Sequence, residues 1–210
     1  GIANIISKTD LQTTVQKLAE KGVRCRTCAS GNPAYRYMDE ILDDLEQGAT
    51  KFENNFTSVI TGFKQGGNFT EGAMFVLDAV SRFGDDFPRG TLFEFTEVTG
   101  GGVRRIDLRV GDVFYEFKSV ASVPPSGFAT QFIKDMDLGA VTDLGQLKWW
   151  FDGNKVSSLP KQQFLDQLVN NPPSAQVIER LRLKFAPNGD DWLDVVDAID
   201  DNFEQIFSVK

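Results

Sequence analysis

The spacing of apolar side chains changes character part-way along the chain. Up to about residue 65 apolar positions recur at helical intervals. Lys8 to Leu18 reads as a polar amphipathic helix and Tyr35 to Gln47 as a second, with Met38, Ile41, Leu42 and Leu45 on one face. Between them lie a basic turn around Cys25 and Cys28 and a Gly31-Asn32-Pro33 break. Residues 51–63 fit a further helix before the loop Gly66-Gly67-Asn68. Thr70 then suits the N-cap of a helix that is apolar almost all round from Ala73 to Phe83, which predicts burial.

After that helix the period shortens to two. Thr91 to Val98 is a β-branched and aromatic run ended by Gly100-Gly101-Gly102, and Arg104–Val110 and Val113–Val120 are two more strands flanking Gly111-Asp112. A Pro-Pro-Ser-Gly turn precedes a helix over Phe128–Leu138, and Leu147–Phe151 reads as a fourth strand. Gln162–Phe185 and Asp190–Phe207 are helical, broken at Pro172-Pro173. In the last helix Trp192, Val195, Val196, Ile199, Phe203 and Ile206 form a stripe opposite the acids. The order predicts an α/β fold. Residues 1–65 form a helical N-terminal region, and 66–210 hold an α-β-β-β-α-β core with helical additions and an acidic C-terminal helix.

Composition narrows the chemistry. Among 210 residues there are 18 Phe and no His. The first count promises a large apolar core. The second removes the His-dependent triads, zinc hydrolases and ribonuclease pairs, leaving carboxylates, Lys, Tyr, Ser, Cys or an oxygen-ligated metal. The net charge of −8 is uneven: residues 190–210 hold seven acids and one base, and the rest of the chain is only slightly acidic. Overall acidity is therefore a weak argument against a nucleic-acid partner. No run approaches the roughly 18 apolar residues of a membrane span, and no signal peptide opens the chain, so no membrane partner is expected. The first residue, Gly1, suits an excised fragment or a tag remnant.

Gly first in a two-residue connection suits a type II′ hairpin. With Gly111-Asp112 as the loop, Val110 faces Val113, Asp107 faces Glu116 and Arg105 faces Lys118. Alternation puts Arg105, Asp107 and Arg109 on one face with Glu116 and Lys118, and Ile106, Leu108 and Val110 on the other. Two carboxylates thus meet with Cβ atoms roughly 5 Å apart, which is unfavourable unless something neutralises them. A divalent cation would, since Mg²⁺ takes oxygen ligands at about 2.1 Å. The plainer possibility is a solvated hairpin face, with Arg105, Arg109 and Lys118 as counter-charges.

Asp107, eight residues, then Glu116-Phe117-Lys118 resembles the D…(D/E)xK signature of the PD-(D/E)XK nuclease superfamily, with Ile106 where that name has Pro. The resemblance covers residues 70–151 and implies a restriction-endonuclease-like core, a mixed four-stranded sheet flanked by helices. It also implies metal-dependent phosphodiester hydrolysis. Asp107 and Glu116 would bind Mg²⁺ or Mn²⁺, with the Phe117 carbonyl and Glu71 as further ligands, and Lys118 would serve the nucleophilic water. Gln131 matches a polar position of the following helix, and Arg104, Arg105 and Arg109 beside the carboxylates are candidates for phosphate contacts.

By superfamily habit DNA is expected over RNA. The architecture also resembles the C-terminal toxin domains of bacterial polymorphic toxins, which are delivered into rival cells and held in check by an immunity protein. A cytoplasmic housekeeping nuclease and a non-catalytic protein-binding module that keeps the fold are the alternatives. Cys25 and Cys28 have the spacing of half a zinc site or of a redox pair, but no His or further Cys completes the first and no βαβ context supports the second, so a local structural role is expected, with a disulfide or a reactive thiol as the alternative. The triple glycine lacks the helix and Lys of a phosphate cradle. Of Trp149 and Trp150, alternation buries one ring and exposes the other, where it could stack on a base.

Overall fold

In a computed structural model, residues 6–26, 36–99 and 102–210 are described. Cys28, the Gly31-Asn32-Pro33 break and Gly100-Gly101 lie outside them. Two compact units divide the chain, Gly1–Phe93 and Glu94–Lys210. The sequence pattern placed a boundary near residue 66.

The first unit is helical: α1 Lys8–Glu20, α2 Met38–Phe52, α3 Thr57–Gln65 and α4 Asn68–Arg82. α3 packs on α1 and α4, and α2 on α4. The single helix expected over 51–63 is split. Residues 51 and 52 end α2, a short turn follows over Glu53–Phe56, and α3 starts afresh. Glu53 at φ 51° makes the break. Gly48 lies so close to the Phe56 ring that a Cβ there would stand 2.6 Å from Phe56 Cζ, which lets α2 seat the ring. Thr70 is not the N-cap. α4 begins two residues earlier, and the buried Thr70 hydroxyl donates to the Phe63 carbonyl (3.1 Å), tying α4 to α3.

The second unit is α/β. Its sheet contains β1 Leu92–Thr99 (whose first two residues belong to the first unit), β2 Gly102–Val110, β3 Val113–Lys118, β4 Leu147–Phe151 and β5 Phe207–Val209, in the spatial order 1-2-3-4-5. β2 and β3 are antiparallel, and β3–β4 and β4–β5 are parallel. The sheet is therefore mixed, with five strands where four were expected. The extra strand is cut from the predicted last helix. α8 Trp192–Asp201 and the single turn α9 Phe203–Ile206 stop at Ile206, and Phe207 turns into the sheet. Three residues carry too little periodicity to be told from a helix end.

α5 Phe128–Met136 crosses from β3 to β4, and α6 Lys161–Asn170, α7 Ala175–Phe185 and α8 fill the path to β5. Phe128 packs edge-on against Trp149 and Phe164 (ring centres 5.3 and 4.7 Å apart), and Phe132 against Trp149 and Phe207. These contacts place α5 on the sheet face that carries Phe114, Glu116 and Lys118 of β3 and Leu147, Trp149 and Phe151 of β4. Both adjacent tryptophans are buried. Trp150 is on the opposite face between the rings of Tyr115 and Phe117, so neither indole is an open platform. Among the described residues no helix is long and apolar enough to cross a membrane.

Candidate functional site

The hairpin that carries the predicted acids has the expected register at its closed end: Val110 faces Val113, Arg109 faces Phe114 and Leu108 faces Tyr115. Gly111 has positive φ (58°) and Asp112 does not, as a type II′ turn requires. Beyond Leu108 the regular pairing stops. The Asp107 carboxylate accepts the backbone N–H of Phe117 (2.9 Å), standing where a backbone carbonyl would continue the ladder.

That substitution shifts the alternation of β2 by one residue. Arg109 lies over the Phe114 ring, while Ile106 joins the same core as Phe114, so the two share a face although three residues apart. Ile106 was expected on the other face. Arg104, not Arg105, consequently reaches Glu116, and the expected Arg105–Lys118 pairing is absent. Arg105 is exposed and pairs with Glu94 (2.8 Å). Arg109 donates to the Gly111 carbonyl (2.7 Å) and pairs with Glu97 (3.4 Å).

Beneath α5 a set of charges is enclosed. Glu116 is 4% exposed and Asp135 1%. The Arg104 guanidinium bridges them, with Nε 2.5 Å from Asp135 Oδ1 and Nη2 2.9 Å from Glu116 Oε1. The Glu116 contact is an ion pair only: Oε1 makes no hydrogen bond among the described residues. Asp135 also accepts the Trp149 indole N–H (2.9 Å). Lys118 Nζ donates to Gln131 Oε1 (2.7 Å), lies 3.5 Å from Glu116 Oε2 and sits over the Trp149 ring. Gln131 and Asp135, four residues apart on α5, thus serve one site from one helix face.

Burial pushes all three carboxyls toward their neutral forms: Asp107 upward, Glu116 well upward with Asp107 and Asp135 adding repulsion, and Asp135 to about 6 despite Arg104. Burial pulls Arg104 down, yet the charges of Asp135 and Glu116 raise it overall. With every group ionised, three carboxylates face two cations, a surplus of one negative charge. A divalent cation shared by Asp107 and Glu116 would offset that surplus, so the residues fit one. Among the described residues no group of three or more Asp, Glu or Cys side chains is disposed to hold a metal ion, so of the ligands the resemblance implied, two carboxylates and the Phe117 carbonyl are left without the further acid.

The solvated-face alternative does not describe Glu116, which is enclosed. Lys118 touches Gln131 and lies near Glu116, and Asp107 is close enough to Glu116 for their charges to repel. Glu71 is in the first turn of α4, in the first unit, where it pairs with Lys21 (3.5 Å). Asp135 and the role of Arg104 were missed. Asp135 is an acid among Phe128, Ala129, Phe132, Ile133 and Met136, all buried, and an acid inside an apolar helical stripe is a signal the sequence does contain. Cys25 is disulfide-bonded. No known protein family, curated protein or solved structure matches this chain.

Proposed function

We propose that the chain is a divalent-metal-dependent nuclease whose centre lies on β2, β3 and α5, built on a restriction-endonuclease-like core. The observation that carries this reading is Glu116, buried beneath α5, with the half-buried Asp107 close enough to repel it, Lys118 beside it, and three acids set against two basic side chains. Asp107 and Glu116 would hold Mg²⁺ or Mn²⁺, with the Phe117 carbonyl as a further ligand. Bound there, the cation supplies Lewis acidity toward a phosphodiester and acidifies water.

The chain's own residues do the rest. Lys118, fixed by Gln131, orients the attacking water and offsets charge developing on the phosphorus oxygens. Arg105, exposed on β2, contacts a backbone phosphate, and Arg109 lies four residues nearer the turn. DNA is the proposed substrate and delivery as an antibacterial toxin, checked by an immunity protein, the proposed setting. The acidic C-terminal helix adds little to a binding-module reading, because several of its acids have local roles. Asp191 and Asp194 form a capping box, and Asp200 and Glu204 pair with Lys161.

Plasmid DNA and total RNA, incubated with and without Mg²⁺ or Mn²⁺ beside an Asp107→Ala control, test the proposal. Metal-dependent cleavage lost in the control is the expected result and selects the substrate. Absence of cleavage, with no metal binding by calorimetry, overturns it in favour of the binding module.

A further inference from the structure

Arg104 is placed unlike a surface counter-ion. Its side chain is 11% exposed, and its fork divides between two carboxylates, Nε on Asp135 and Nη2 toward Glu116. Asp135 is itself fixed by the Trp149 indole N–H, and Nη1 donates to the Arg105 carbonyl (2.6 Å). With a longer bond from Nη2 to Asp135 Oδ2 (3.5 Å), three contacts thus seat the guanidinium before it meets Glu116. The fourth is the ion pair with Oε1, an oxygen that receives no directed hydrogen bond. Glu116 is therefore the less firmly held of the two acids, and its other oxygen lies 3.5 Å from the ammonium of Lys118.

Building on the metal-site reading above, we propose that Arg104, positioned by Asp135, is the resident counter-cation of Glu116, and that a divalent ion binds by taking Oε1 over from it. The arrangement sets how much free cation the site needs. With Nη2 2.9 Å from Oε1, a cation at ligand distance from that oxygen would stand within about 5 Å of the guanidinium, and positive charges that close repel each other strongly away from bulk water. Arg104 has a second partner in Asp135 to turn to, so it can yield Oε1 without being left buried and unpaired. Asp135 is a positioning residue in this scheme and touches neither metal nor substrate.

Mn²⁺ titration of the whole chain by calorimetry tests the idea without reference to cleavage. Arg104→Lys keeps the charge beside Asp135, but a single ammonium cannot serve both carboxylates; Arg104→Gln removes the charge. Both are expected to lower thermal stability without metal and yet bind Mn²⁺ more tightly, about tenfold or more for Arg104→Gln and less for Arg104→Lys. A purely structural Arg104 would lower stability and leave Mn²⁺ affinity equal or weaker, and that result in folded Arg104→Lys overturns the proposal. If Arg104→Gln does not fold, Arg104→Lys decides alone. Mn²⁺ binding by the native chain with no gain in the variants sinks this inference and leaves the nuclease reading standing. No Mn²⁺ binding by any of the three sinks both.

Discussion

Each unit contains a network of two basic side chains and their acids, and the two networks are built differently. In the first, Arg36 pairs with Asp44 and Asp78, and Asp78 with Arg82, and every side chain keeps contact with water, from 17% to 48% exposed. In the second, Arg104, Glu116, Asp135 and Lys118 are between 2% and 16% exposed, and acids outnumber bases once Asp107 is included. The first arrangement is the ordinary way to finish a helical surface and contributes little either way. The second is costly, since burying charge forfeits hydration that pairing only partly returns. A fold seeking stability alone would place apolar side chains beneath α5, as it does on either side of this group, and the proposed metal centre gives the enclosed charges a use.

The comparison breaks most visibly at Glu116. Glu116→Gln keeps an acceptor for Arg104 while removing the surplus charge, so cleavage should fall more than about a hundredfold, as for loss of a metal ligand. The metal-free melting temperature should hold or rise. A falling melting temperature with intact cleavage would show the carboxylate to be structural. Next in size is the contrast between networks. Asp135→Ala leaves Arg104 buried without its main partner and should cost about 3–5 kcal/mol, whereas Asp44→Ala should cost about 1 kcal/mol or less. Urea unfolding of both variants measures the difference, and equal losses would erase the distinction.

A smaller effect comes from pH. Asp135 titrates near 6 in the folded chain, above its ordinary value of 3.8, so the native state holds a proton that the unfolded chain has lost. Its contribution to stability is complete below about pH 4, falls as pH rises toward 6, and changes little above that. The slope is at most about 1.4 kcal/mol per pH unit for this group. Asp107 and Glu116, also raised, act in the same direction. Melting curves in chelator from pH 4 to 7 should show the fall, and Asp135→Asn should flatten it. The smallest expected change is none: reducing the Cys25 disulfide should leave cleavage and the second unit's stability as they were, measured with and without dithiothreitol.

The hairpin was legible because its information is local. Gly111 fixes the turn, the turn fixes the register, and the register brings Asp107 toward Glu116. What the sequence did not disclose is the shift beyond Leu108, because it depends on a side chain entering a backbone ladder, which no alternation rule anticipates. Arg104 and Arg105 are chemically identical in the sequence, and only that shift chooses between them. Asp135 was hidden for a related reason. Its helix was found at the right place, but which turn faces Arg104 depends on how α5 lies over Trp149, a tertiary matter. β5 escaped because pairing with β4, and no property of three residues, makes it a strand.

The strand pairings of the second unit also imply an order of assembly. β2 and β3 are joined by two residues, the cheapest closure available, whereas Trp149 meets Phe207 across a separation of 58 residues. Short loops close early and long ones late, and α-helical crossovers must be in place before parallel strands can pair. Asp107 and Glu116 therefore approach one another on the nascent hairpin, with Arg104 on the same strand to quiet them, well before α5 brings Asp135. Until β5 docks, Phe207 cannot complete the packing around Phe128 and Phe132 that holds α5 down. A partly folded chain thus carries the acids without their roof, and the enclosure of the charges is complete only with the last strand.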